Sequence, residues 1–470
     1  MPIGDLLPEI ALLLGAVAAV LLAAFLPHER QHWCAWLALA VLAIAFGLTW
    51  GQWSSVPRTT FSGVWALDGP ALAAKGLILI GGAIGVLLSP VWMRTDRRHG
   101  EYYALVLFAL LGAIMMASAN DAMELIVGVL LSSVASYPLV AYHRGWSPGL
   151  EAAMKYFLIG ALTNTLLATG VVILFGLEGD TDYARLAERF ATQDSDTLAL
   201  GIATAGIMIG LSFKLAAFPG HAWMPDVAQG APAPAAALLS VVPKVGAAVA
   251  LARFVAILPD SMAWSSIVAL LAVITMTLGN LAALRQTDVR RLLGWSSVSQ
   301  SGYALMAIVV IDAADGAMTA LLGFLLAYLL ATLAAFAVVT HLRGRTDLAD
   351  YHGLARTRPI IAAVLILALL SLVGIPPLVG FFGKFLLFEA TMAAGYTWLA
   401  VVAVANTVLS LFYYLRVIAV TMFQPGWGDF PTLGRSSEVA LLASAALLLA
   451  ASLGVQGGLA LSPMLELVTP

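Results

Sequence analysis

The chain has 470 residues, of which 61% are hydrophobic and only 10% charged, with a net charge of −3. Soluble domains carry about 25% charged residues, so this composition excludes an ordinary soluble enzyme, and the small net charge gives no sign of a nucleic-acid partner. The single cysteine, Cys34, excludes an internal disulfide and an iron–sulfur cluster held by cysteines of this chain.

The apolar runs are about 20 residues long, enough to span ~30 Å of hydrocarbon. The chain therefore reads as an all-α polytopic membrane protein. The first stretch, MPIGDLLPEIALLLG, has no basic segment and carries Asp5 and Glu9, which marks a retained span rather than a cleaved signal. About fourteen transmembrane helices follow from hydropathy, at approximately 3–26, 33–53, 71–93, 102–119, 121–142, 151–176, 198–218, 232–257, 262–284, 292–312, 315–341, 359–394, 396–422 and 438–461.

Loop charge sets the expected orientation. Arg94, Arg97, Arg98, Arg144, Arg285, Arg290, Arg291, Arg343, Arg345, Arg356 and Arg358 all fall in odd-numbered connections. The connection between spans 6 and 7 is acidic, with Glu178, Asp180, Asp182, Glu188, Asp194 and Asp196. The odd connections are thus expected in the cytoplasm and both termini on the periplasmic side of a bacterial cytoplasmic membrane.

Two spans run into breaks. LSFKLAAFPG leads to Pro219 and Gly220 in span 7, and LSLVGIPPLVG leads to Pro376 and Pro377 in span 12. They lie five spans apart, so the two segments have opposite topology, and paired interrupted helices point to inverted-repeat transport folds. Ordinary proline kinks are the plainer alternative.

All five lysines, Lys75, Lys155, Lys214, Lys244 and Lys384, fall in predicted spans, whereas the arginines lie almost entirely in loops apart from Arg253 and Arg416 near helix ends. Arginine stays protonated, but a buried lysine can gain and release a proton. Intramembrane ionisable groups of this kind mark ion pathways. Lys214, Lys244 and Lys384 are the leading proton-relay candidates. Lys155 is close to the cytoplasmic end of span 6, with relay and edge positions both open. Lys75, near the outer end of its span, is expected to snorkel. His221 either passes protons or caps freed carbonyls at the first break. Ser212, Ser240, Ser296, Ser297, Ser299, Gln300 and Tyr303 offer a water wire, or simply helix–helix packing.

The run FKLAAFPGHAWMPDVAQGAPAPAAALLSVVPKVGA, with EAAMKYFLIGAL, LGNLAALRQTDVRRLLGWSSVSQSGYALM, DYHGLARTRP and SLVGIPPLVGFFGKFLLFEA, resembles the antiporter-like membrane subunits of respiratory complex I (NADH:quinone oxidoreductase). GAPAPAAALLSVVPK resembles the N-type branch more than its M and L sisters.

The resemblance implies a single antiporter-like domain over 1–470. Within it, three N-terminal helices (1–101) precede a five-helix repeat of spans 4–8 (102–257). An inverted repeat of spans 9–13 (262–422) and a C-terminal helix (438–461) follow, with broken helices 7 and 12. It implies a membrane subunit of a proton-translocating enzyme, relaying protons by Lys214, Lys244, Lys384 and Lys155. Flavin, iron–sulfur clusters and quinone are then expected in partner subunits of a complex I-type assembly. No cofactor or metal site and no redox chemistry is expected in this chain.

Two positions depart from the family pattern. A glutamate expected in span 5, the usual counter-charge of the span 7 lysine, is replaced by Leu130, and a common histidine by Gln300. Glu124, six residues before Leu130, lies roughly 120° away around the helix and is a poor substitute. Lys214 then lacks the carboxylate that would favour its charged form, and proton transfer is expected to be modified. The alternatives are a subunit of a multi-chain cation/proton antiporter, a membrane subunit of an energy-converting hydrogenase, and a scaffold whose channel has decayed.

Overall fold

In hydrocarbon every backbone N–H and C=O must find an internal partner, which leaves the helix as the available form for these apolar runs. The computed structural model describes residues 3–192, 197–259, 262–425, 430 and 432–456. Asp194 and Asp196, and residues 457–461 of the last expected span, lie outside the described residues.

The first part of the chain forms α1 (Leu7–Phe25), α2 (Trp33–Gln52), a hairpin of β1 (Arg58–Thr60) and β2 (Trp65–Leu67), α3 (Gly69–Leu88) and the short α4 (Pro90–Met93). Next come α5 (Glu101–Ser118), α6 (Ala122–Val140), α7 (Ser147–Glu178), α8 (Tyr183–Thr192), α9 (Thr197–Leu215), α10 (Trp223–Gly230) and α11 (Ala233–Val255). The remainder forms α12 (Trp264–Ala283), α13 (Val289–Val309), α14 (Ala317–His341), α15 (Leu354–Thr357), α16 (Pro359–Val373), α17 (Val379–Ala393), α18 (Thr397–Phe423) and α19 (Arg435–Gln456).

Among the described residues, twelve helices are long and apolar enough to cross a membrane. Two of the expected spans fall outside that set for different reasons. Residues 292–312 fall largely in α13, where Ser296, Ser297, Ser299, Gln300 and Ser301 dilute the hydropathy. Residues 359–394 divide into α16 and α17, each of 15 residues.

The centre is built from α11, α13 and α14. Every residue of α11 is buried; α14 exposes only part of Thr319 and Leu326, and α13 part of Arg291 and Trp295. Small residues permit the close crossing. A Cβ on Gly246 of α11 would lie 2.3 Å from the Ala113 carbonyl oxygen of α5, nearer than any real Cβ contact.

The connections gather on two faces. On one, the β1–β2 hairpin meets the start of α6 through Asn120 N–H to the Val64 carbonyl (2.9 Å), and Ala122 N–H reaches the Thr181 carbonyl (2.9 Å). On the other, His143 bonds Asp96 at 2.7 Å and receives the Trp92 indole N–H at 2.9 Å. There too Leu348 N–H reaches the Thr287 carbonyl (2.8 Å) and Arg343 covers Trp92. This second face carries the arginine-rich connections. Asp68, Asp121 and Asp288 cap the N-termini of α3, α6 and α13, satisfying amides that would otherwise be orphaned.

Buried ion pairs staple the outer helices to the core. Arg253 of α11 meets Asp68 at 2.5 Å, with both side chains buried. Lys75 corrects the sequence expectation. It does not snorkel: its side chain is 0% exposed, and it pairs at 2.7 Å with Glu9 of α1 beside the Trp65 ring. Arg290, expected in a loop, is buried too, and donates to the Ala228 (2.7 Å) and Ala231 carbonyls at the C-terminal end of α10.

The helical path is interrupted at 216–222 and again at 374–378. At the first site Ala216 is left-handed (φ 54), and at the second Gly374 is (φ 93). Both returns fold tightly onto the preceding helix. A Cβ on Gly220 would sit 2.6 Å from the Phe213 backbone, and one on Gly380 only 1.8 Å from the Ser371 carbonyl oxygen.

Two stability measurements follow. Gly380→Ala is expected to cost about 1–3 kcal/mol, as overpacking does, read as earlier thermal unfolding in detergent. Gly47→Ala, inside α2 and meeting nothing within 4 Å, should instead raise stability by about 0.5–1 kcal/mol, since alanine is the better helix former. Glu9→Ala strands Lys75 without a partner, and breaking a buried pair this way costs about 3–5 kcal/mol. The double variant Glu9→Leu/Lys75→Met should recover most of that loss.

Candidate functional site

Three of the sequence-predicted lysines lie deep in the fold: Lys214, Lys244 and Lys384 are 1%, 2% and 4% exposed. Desolvating a cation at this depth costs at least ~2.5–3.5 kcal/mol, so each must find oxygen. None of the three has an ion-pair partner among the described residues; their partners are hydroxyl and carbonyl oxygens.

Lys214 occupies the last turn of α9, where the helix dipole is negative. Its ammonium reaches Ser132 Oγ of α6 at 3.3 Å and lies 5.7 Å from the Phe213 ring centroid. Lys244, at the middle of α11, donates to the Ser297 carbonyl (2.5 Å) and to Ser301 Oγ (2.7 Å), both on α13. Ser301 in turn donates to the carbonyl of Leu215, the last residue of α9. Lys384, in the second turn of α17, reaches back to the Val373 carbonyl at the C-terminus of α16 (3.0 Å) and sits 4.4 Å from the Tyr303 ring centroid, within cation–π range.

The interruptions make these oxygens available. A helix end leaves its last carbonyls without intrahelical partners. At the first break the Trp223 indole donates to the Phe213 carbonyl (2.9 Å) and Ser301 takes that of Leu215. At the second, Gln300 Nε2 takes the Leu372 carbonyl (3.1 Å) and Lys384 that of Val373. Pro219 and Gly220 lie in the first interruption, and Pro376 and Pro377 in the second.

Helix α13 is the shared wall. Its Ser297 hydroxyl bonds Tyr328 (2.7 Å), which donates to the Ser240 carbonyl (2.7 Å). Ser296 pairs with Tyr414, and Tyr303 with Thr407 (2.9 Å). Tyr328, Ser301, Ser132 and Trp223 were not singled out from the sequence. The signal that could have found Tyr328 is its place as a lone tyrosine inside LLGFLLAYLLATL.

The remaining candidates lie outside this row. Lys155 stands at the arginine-rich face, its side chain 45% exposed, paired with Glu151 (2.7 Å) and Asp226 (3.2 Å). Asp226 also binds Arg291 at 2.5 Å. His221 is half-buried, its ring near those of Phe218 (5.8 Å) and Trp295 (6.0 Å), and no hydrogen bond joins it to Lys214 among the described residues.

Leu130 lies on another side of α6 from the lysine contact. Its side chain is 41% exposed and lines an open groove with Val134, Tyr137, Phe157 and Asn164. Ser132, two residues on and so roughly 160° around the helix, is the residue that faces Lys214. In this geometry a serine hydroxyl, and not residue 130, meets Lys214.

Comparison with known proteins agrees with this architecture. A family model described as NADH:quinone oxidoreductase/Mrp antiporter, transmembrane, matches residues 119–410. NADH-quinone oxidoreductase subunit N of Mycobacterium sp. (strain JLS) is 42% identical, over 97% of this chain and 96% of that one. Subunit N 1 of Streptomyces griseus is 40% identical, over 98% and 97%.

Among solved structures, a chain of respiratory complex I from Thermus thermophilus superposes with a TM-score of 0.82 at 32% identity, covering 96% of this chain and 98% of that one. A chain of the Mrp complex from Dietzia shares the fold, with a TM-score of 0.85 at 22% identity over 99% and 97%. The chain belongs to the NADH:quinone oxidoreductase/Mrp antiporter family of multi-pass membrane proteins, among the N-type subunits of complex I.

Proposed function

We propose that this chain carries protons across the membrane as the N-type subunit of an NADH:quinone oxidoreductase. The observation that carries the reading is the set of three buried lysines, each bonded to neutral oxygens, with Lys244 and Lys384 against α13. A neutral partner solvates an ammonium without locking it in the charged form, as a carboxylate would. Each lysine is therefore free to cycle between charged and neutral states. Lys244, Ser301 and the end of α9 form one contact chain; Lys384 and the end of α16 form another, and α13 lies between them.

In this reading Lys214, Lys244 and Lys384 hold and release the proton. Lys155, with Asp226 and Arg291, gathers charge at the arginine-rich face, which is cytoplasmic by the positive-inside rule, placing both termini in the periplasm of a bacterial cytoplasmic membrane. His221 adds a titratable ring at the first interruption. The two interrupted segments correspond to broken helices 7 and 12 of a fourteen-helix fold with two inverted repeats. Lys214 works against the Ser132 hydroxyl rather than a carboxylate, so its proton transfer is modified relative to a lysine paired with a glutamate. Flavin, iron–sulfur clusters and quinone chemistry belong to partner subunits, whose redox reaction supplies the driving force.

The 42% and 40% identities to N subunits favour this assembly over the cation/proton antiporter reading, since the fold is common to both. Affinity purification from gently solubilised membranes, with NADH:quinone activity assayed on the same sample, tests the assembly. Flavin and iron–sulfur subunits are expected to co-purify. Recovery of antiporter-like chains alone, without redox activity, would overturn it.

In vesicles, NADH-driven proton uptake tests the residues. Lys214→Ala, Lys244→Ala and Lys384→Ala should each lower it by roughly tenfold or more, as loss of a proton-transfer group does. The arginine replacements should fare no better, because arginine does not give up its proton. Lys155→Ala, an exposed pair, should stay within about twofold of the parent.

A further inference from the structure

Adjacent residues of α13 contact both interruptions. Ser301 donates to the Leu215 carbonyl at the end of α9, and Gln300 donates to the Leu372 carbonyl one residue before the end of α16. Successive residues on a helix point about 100° apart, so one turn of α13 reaches in two directions. Both side chains are buried, at 2% and 3% exposure.

The same turn is clamped from behind by α12. A Cβ on Gly302 would lie 2.7 Å from the Met276 backbone nitrogen, and one on Gly279 would lie 2.5 Å from that of Ser299. With backbones this close, α13 shifts as a unit or not at all, because packed interiors transmit displacement rather than absorb it.

We propose that Gln300 and Ser301 are positioning residues that tie the two helix breaks together through α13. Movement of the α9 end, felt through Ser301, then displaces Gln300, the Leu372 carbonyl it holds and the adjoining Val373 carbonyl on which Lys384 rests. Gln300 does this as a fixed amide donor, a role that needs no titration. The coupling is reciprocal, as any equilibrium coupling between two sites must be.

The proposal rests on the proton-relay reading only in its pumping arm. Its first test is hydrogen–deuterium exchange on the full chain in the purified assembly. Gln300→Leu and Ser301→Ala remove one donor each. Loss of one hydrogen bond corresponds to about a 2- to 10-fold change in local opening. Each variant is expected to speed exchange by that factor at both 212–222 and 370–380, and Gln300→His, which keeps an N–H donor, to restore the parent pattern. Exchange that changes only at the variant's own break overturns the proposal. If Gln300→Leu fails to assemble, the effect of Ser301→Ala on 370–380 decides alone.

The pumping arm compares Gln300→Leu with Lys384→Ala in the same vesicles. Loss of pumping in both, with rescue by Gln300→His, supports the coupling. Loss in Lys384→Ala with none in Gln300→Leu overturns it as a functional device. Unchanged pumping in Lys384→Ala overturns the relay reading instead, and the exchange data then decide the coupling.

Discussion

An ammonium group inside hydrocarbon must find oxygen, and the rest of this structure is arranged around that requirement. Lys214, Lys244 and Lys384 meet it with Ser132, Ser297, Ser301 and Val373. Val373 is at a helix end, and Ser301 is shared with another helix end at Leu215. An uninterrupted helix binds its own carbonyls and has few to lend. The interruptions at 216–222 and 374–378 therefore do more than bend the chain: they release acceptors at the depth where the lysines lie. Gly220 and Gly380 are part of the same solution, since any side chain there would push the returning segment off the helix end it covers.

Charge is handled differently away from this row. Lys75 with Glu9, Arg253 with Asp68, and Arg58 with Asp5 are opposite-charge pairs between distant segments. Such pairs hold geometry. Arg290 and Arg416 instead cover helix-end or loop carbonyls, at α10 and around Leu284 and Gln286. The chain thus uses paired or permanently protonated cations for fixing position. The unpaired cations at its centre are lysines, the side chain that can lose its charge.

Much of this was legible in the sequence. A lysine in an apolar run beside a proline–glycine break is a local pattern, and it located Lys214 just before its break and Lys384 just after its own. The partners were not legible, because they are remote. Glu9 is 66 residues from Lys75, so nothing local distinguished a buried pair from a snorkelling side chain; Ser132 is 82 residues from Lys214. The orientation of Leu130 was also hidden: the resemblance identifies the position, but only the packing of α6 on α7 decides which way it faces. α13 was visible as a span, yet its serines dilute the hydropathy that defines spans, for the same reason that they serve the lysines.

This last point joins fold to function. A helix buried on nearly all sides has no need of water-facing residues, and an apolar α13 would pack more simply. Five of its six polar positions between 296 and 303 are accounted for by a contact: Ser296 to Tyr414, Ser297 to Tyr328, Gln300 to the α16 end, Ser301 to Lys244 and the α9 end, Tyr303 to Thr407. The Ser299 hydroxyl has no hydrogen-bond partner among the described residues, and the amide nitrogen of Ser299 is where α13 presses against Gly279. The helix with the weakest claim to be in a membrane by composition is the one that both helix breaks and two of the three central lysines contact. Its hydrophilicity is local to one stretch, 296–303, flanked by apolar residues, so the membrane tolerates it only because α11, α12, α14 and α18 enclose it. The surrounding apolar helices are what make a polar axis at mid-membrane stable, and that axis is what gives the lysines neutral partners.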